Sequence, residues 1–143
     1  MSSIITKSYF LDVAAPSTVA ITSPTNSVFS NTGNVVLSWN TATDTGAGLS
    51  TTPYIYLVST NSGFTNIVAS GSTAQTTQNI ALSDGTYFAK IQARDLAGNT
   101  SMSSVTSFTV DTVAPGVPTN VSVNHGNIID VNTQANVTII GSG

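Results

Sequence analysis

"GTYFAKIQAR", Gly85 to Arg94, decides the fold. Tyr87, Ala89, Ile91 and Ala93 alternate with Phe88, Lys90, Gln92 and Arg94. Successive side chains of a strand point to opposite faces, so the segment has a dry side and a wet side. One buried and one solvated face is the pattern of an antiparallel sheet in a sandwich. Asp84-Gly85, where it begins, is a tight-turn dipeptide.

On either side of it, short apolar runs recur between turn clusters, and no segment carries a convincing helical period. The expected strands are A over Thr18–Thr22, B over Asn34–Trp39, C over Tyr54–Ser59, and a short one over Asn66–Ser70. Strand E follows at Thr76–Leu82, F at Gly85–Arg94 and G at Val105–Val110. On B, Val35, Leu37 and Trp39 share one face. Strand C is ambiguous because Tyr54, Tyr56 and Val58 oppose Ile55 and Leu57, and both sets are apolar. One set covers the core and the other lies under a loop. The fold class is all-β.

Composition agrees. Charged residues make up 6% of the 143 residues, against roughly 25% in an average domain. All six acids are Asp, and the bases are Lys7, Lys90 and Arg94. Glu is absent and Lys scarce, while Ser, Thr, Asn and Val dominate, which favours strands and turns over helices. A net charge of −3 argues against a nucleic-acid partner, which needs a basic face. No apolar run is long enough to span a bilayer, and "MSSIITKSYF" is not a secretory signal. The chain therefore reads as cytoplasmic or as a piece of something larger. Without Cys there are no disulfides, so stability outside the cell would come from packing or a bound ion. A surface kept soluble by hydroxyls and amides suits an exported bacterial protein.

"SYFLDVAAP", Ser8 to Pro16, returns as "SFTVDTVAP", Ser107 to Pro115. Asp12 matches Asp111, Pro16 matches Pro115, Leu11 matches Val110 and Tyr9 matches Phe108. A fixed offset marks tandem domains. Residues 1–15 then read as the last strand and linker of a preceding repeat, 16–112 as a complete repeat, and 113–143 as the linker and first strands of an incomplete one. A third of a sandwich cannot bury its own apolar face, so the last part needs a partner or further chain.

"VVLSWNTATDTGAGLSTTPYIYLV" resembles strand B, BC loop and strand C of fibronectin type III-like domains, with Trp39 as the core tryptophan. "LSDGTYFAKIQARDLAGNTS" resembles the E–F corner, strand F and FG loop of bacterial immunoglobulin-like repeats in large surface adhesins, and "VDTVAP" their linker. The resemblance implies an immunoglobulin-like (fibronectin type III-like) antiparallel β-sandwich in a tandem repeat. Tyr87 would be the corner tyrosine whose hydroxyl bonds nearby backbone.

The resemblance also locates the acids. In such a sandwich the N-terminal linker, BC loop and FG loop lie at one end, which gathers Asp12, Asp44 and Asp95, with Asn99 beside them. The EF turn and the end of strand G lie at the other, with Asp84 and Asp111. Each Asp also has a plain role, capping a turn by bonding backbone two residues on. Clustered carboxylates repel unless a cation sits among them. Strand alternation turns Arg94 away, and Ca²⁺, which takes 6–8 oxygen ligands in flexible geometry, is the fitting ion. Asp12, Asp44, Asp95, Asn99, Asp84 and Asp111 are the candidate ligands, with the Ala97 and Gly98 carbonyls as supplements. The resemblance likewise implies calcium in the linkers, which would fix the angle between neighbouring sandwiches.

No catalytic site is expected. His125, the lone histidine, sits in "VNHGNI" beside a turn, without Cys or Glu nearby. "DTGAGLS" lacks the following Lys of a phosphate loop. The N-x-Ser/Thr triplets at Asn99, Asn120 and Asn136 are what an Asn-, Ser- and Thr-rich chain produces by chance. The resemblance implies a non-enzymatic spacer of a cell-surface or secreted adhesin. Its partners would be neighbouring repeats or identical subunits, and host or prey surfaces or glycans met through other domains. One alternative is a filament subunit in which "SIITKSYFLDV" is donated to a neighbour. Another is a carbohydrate-binding module using Phe88.

Overall fold

The computed structural model describes residues 11–116. The expected preceding strand in residues 1–10, the incomplete repeat from residue 117 on, His125 and Asp130 lie outside the described residues. The chain divides into two compact units between Val113 and Ala114. The first carries nine strands among its described residues: β1 (Ile21–Ser23), β2 (Val28–Ser30), β3 (Asn34–Trp39), β4 (Leu49–Ser59), β5 (Ile67–Thr73), β6 (Thr77–Ala81), β7 (Gly85–Asp95), β8 (Thr100–Met102) and β9 (Thr106–Val110).

They form two sheets, one ordered β1-β3-β6 and the other β2-β9-β7-β4-β5 with β8 also on β7. The pairings are antiparallel except β2 with β9, which is parallel. β7 sits at the centre of the larger sheet, and its alternation decides which face is dry. Tyr87 is 7% exposed, and Ala89, Ile91 and Ala93 are fully buried. Val35, Leu37 and Trp39 of β3 face them across the sandwich, joined by Tyr54, Val58, Ile80, Phe108 and Val110. Each large apolar side chain so buried contributes roughly 1.5–3 kcal/mol. The Trp39 and Tyr54 rings meet edge-on with centroids 5.7 Å apart. The Tyr54 hydroxyl accepts the Ala42 N–H at 2.9 Å. That bond fixes the start of the loop that carries Asp44.

The Tyr87 hydroxyl donates to the Ser83 carbonyl at 2.9 Å, closing the E–F corner. On β4, Tyr54 and Val58 are buried and Tyr56 packs partly against the core. Ile55 and Leu57 are half-buried on the outer face. There Lys90, opposite Leu57, lays its ammonium 4.0 Å above the Phe64 ring from the 60–66 loop, so the loop covers part of that face.

Several strand bounds differ from expectation. β1 begins three residues later than strand A, although Val19 is already buried at 1%. β4 starts at Leu49, well before strand C, and β5 runs on to Thr73. Strand G extends back as the separate piece β8. The Ser103 Oγ accepts the Ile91 N–H and the Ser103 N–H donates to the Ile91 carbonyl, which bridges the gap between β8 and β9. β2 was not expected at all.

Candidate metal centre

Three segments converge at one end of the described sandwich. The first is the linker ahead of β1, the second the loop between β3 and β4, and the third the turn between β7 and β8. They bring one carboxylate oxygen each from Asp12, Asp44 and Asp95 within 4.8 Å of one another.

Each carboxylate is fixed by its local backbone. The Asp44 Oδ2 accepts the Gly46 N–H at 3.1 Å and the Gly48 N–H at 2.8 Å. This fold-back needs Gly48 at φ +81°, where a side chain would be strained. Asp95 ends β7 and is 1% exposed. Its Oδ1 accepts the Gly98 N–H at 2.6 Å and the Asn99 N–H at 2.7 Å, and its Oδ2 accepts the Asn99 side-chain amide at 2.8 Å. Burial pushes the Asp95 carboxyl up, but the bonds from Asn99, Gly98 and Ala97 outweigh it and hold the group below its ordinary value of 3.8.

Asp12 comes from the linker. Its Oδ1 accepts the Ala14 N–H at 3.0 Å and its Oδ2 accepts the Ala47 N–H. Its backbone carbonyl accepts the Asn99 side-chain amide at 3.1 Å. Asn99 therefore clips the linker to the β7–β8 turn, with its nitrogen rather than its oxygen towards Asp95. Further along, the Ser17 N–H donates to the Thr43 carbonyl, the Thr43 N–H to the Ser17 Oγ, and the Ser101 hydroxyl to the Ser17 carbonyl. The linker is thus seated on both loops.

The donor set consists of oxygen alone, as a hard cation requires. The Asp44 Oδ1 is buried with no hydrogen-bond partner among the described residues. A buried carboxylate oxygen without a donor is costly, and a cation would satisfy it. The chemistry of this donor set suits a hard cation between Asp12, Asp44 and Asp95.

Asp84 and Asp111 lie apart from this group, near the other end. The Asp84 Oδ1 accepts both the N–H and the hydroxyl of Thr112, at 3.0 and 2.8 Å. The Asp111 Oδ1 accepts the Val113 N–H at 3.1 Å. Asp111 caps a local turn there, and Asp84 ties the E–F corner to the segment after β9. Gly46 and Ala47 were not singled out from the sequence, yet their backbone receives the linker carboxylate. The signal was present in "DTGAG", where closely spaced glycines let a chain cross tightly. Phe88 is half-buried, and the most exposed aromatic ring among the described residues is Phe29, at 74%.

Among solved structures, the fibronectin(III)-like modules of Clostridium thermocellum CbhA superpose with a TM-score of 0.50 at 21% identity, over 68% of this chain and 99% of that one. That likeness supports the fold. No curated protein matches. The family described as "Bacterial Ig-like domain" matches residues 14–112, a span that takes in both sheets, the loops holding Asp44 and Asp95, and the corner at Tyr87, and the chain belongs to that family.

Proposed function

We propose that this sandwich is a non-catalytic spacer repeat of a bacterial surface or secreted protein, and that calcium stiffens its junction with the domain before it. The observation that carries the reading is the seating of Asp12: a linker carboxylate meets two loop carboxylates of the sandwich. An ion held by all three would tie linker to loops and remove the swing a short linker otherwise allows.

A second feature supports the tandem reading. Asp12 caps the Ala14 N–H and Asp111 caps the Val113 N–H in the same two-residue turn. The offset seen in the sequence is therefore repeated in local geometry at both ends of the sandwich. In a string of such domains, each last strand would end in an aspartate offered to the loops of the next. The mechanism is passive: each domain adds length and each junction sets stiffness. Thermal melting and small-angle scattering test this with and without calcium. The melting temperature should fall and interdomain bending rise on chelation, and superimposable curves would refute the role of the ion.

A further inference from the structure

β5 has no strand on its outer edge among the described residues, since it ends the order β2-β9-β7-β4-β5. An open edge presents unpaired N–H and C=O groups, and proteins usually guard one with charge, proline, shortness or a bulge. The other edges of this sandwich are short: β1 and β2 have three residues each and β6 has five. β1 also carries a register irregularity between Ile21 and Ser23. β5 has seven residues and no proline; its ladder with β4 is regular over the five pairs from Tyr54–Thr73 to Val58–Ala69, and its one register irregularity lies past them, between Val58 and Ser59, at the Ile67 end.

Charge is missing too. No charged residue stands between Asp44 and Asp84, a stretch that includes β4, β5 and β6. The described charges lie at the two ends of the sandwich and on β7, at Lys90 and Arg94. The β5 side chains are short beyond Val68, so they do not screen the backbone. On the inner face, the Tyr56 ring lies against Gly71, where an added Cβ would come within 2.6 Å of the hydroxyl.

We propose that the β5 edge pairs antiparallel with β5 of a second copy of this chain, joining the two larger sheets side by side. A neutral edge selects a neutral extended partner, and the same strand in another copy qualifies. Antiparallel self-pairing about a two-fold axis brings identical surfaces together, which would set like charges against each other at either acidic end but not here. Ser70 is the middle residue of β5, so two copies place their Ser70 residues near the axis. The contact involves one strand from each copy and falls below the area of a stable complex, so the association is weak. Such pairing would bundle neighbouring stalks laterally, and it does not depend on the calcium reading.

Sedimentation equilibrium on the full chain tests the proposal, with chelator present to separate it from ion binding. The apparent mass should rise above 14.6 kDa towards its double as protein concentration approaches about 1 mM, a weak association. Ser70→Lys and Val68→Lys, each on an exposed position, should each raise the dissociation constant about tenfold or more, while Ser70→Ala leaves it unchanged. Amides of Ile67–Thr73 should gain hydrogen-exchange protection with concentration. A monomer throughout the range overturns the proposal. So does a dimer indifferent to both lysines, or protection of β5 that is equally strong in dilute monomer, which would mean another segment of the same chain covers the edge.

Discussion

The Asp12 carboxylate lies over Gly46, in the space that a Cβ on that residue would occupy. Glycine is therefore required there for contact rather than for backbone angle. Gly48, two residues on, has open space around it but sits at φ +81°. Alanine at either site should be harmful, for different reasons. Gly46→Ala should push the linker off the loop, losing the Ala47–Asp12 hydrogen bond at a cost of about 1 kcal/mol and abolishing any stabilisation by calcium. Gly48→Ala should cost about 1 kcal/mol through strain and leave Asp12 in place. Urea unfolding with and without calcium distinguishes the two.

Asp95 should make stability depend on acid pH. Its folded pKa lies below the ordinary 3.8 because its hydrogen bonds outweigh burial. The unfolded chain therefore takes up the proton first as pH falls. The stabilisation is complete well above 3.8 and is lost as pH drops through the lower folded value. In chelator, the wild-type stability should decline more steeply there than that of Asp95→Asn. Parallel profiles would show that the hydrogen bonds do not favour the charged form.

Tyr87→Phe removes a single hydroxyl whose bond to the Ser83 carbonyl closes the E–F corner. The expected loss is about 1 kcal/mol in equilibrium unfolding, the usual worth of one hydrogen bond. The partner residue Ser83 is exposed, so water replaces the lost donor and limits the damage.

Core and surface positions should separate sharply. Ile91 is fully buried between the sheets, and Ile91→Ala should cost about 2–5 kcal/mol, the transfer term plus a cavity. Phe29 is 74% exposed on a short strand, and Phe29→Ala should change stability by about 0.5 kcal/mol or less. Chemical denaturation midpoints at constant slope provide the comparison.

Strands with strong alternation were legible in the sequence. β7 and β3 follow their expected bounds within a residue because buried side chains fix period and register together. Tyr87 could be placed because a turn dipeptide precedes it. β2 and β8 were not legible: each has only three residues, with no alternation long enough to register. β2 is set by a parallel pairing with β9, and parallel partners distant in sequence leave no local trace. The grouping of Asp12, Asp44 and Asp95 followed from assigning each to a loop once the sandwich topology was assumed. The roles of Gly46 and Ala47 did not, because they depend on where the linker crosses the loop, a tertiary contact.

In the proposed junction a linker carboxylate and two loop carboxylates together hold one cation. Calorimetric titration of the full chain with Ca²⁺, beside Asp12→Asn, tests it most directly. Saturable binding of one ion at this end of the sandwich is expected, weakened about tenfold or more by Asp12→Asn although that residue lies outside both sheets. Absence of saturable binding, or binding indifferent to Asp12→Asn, would contradict it.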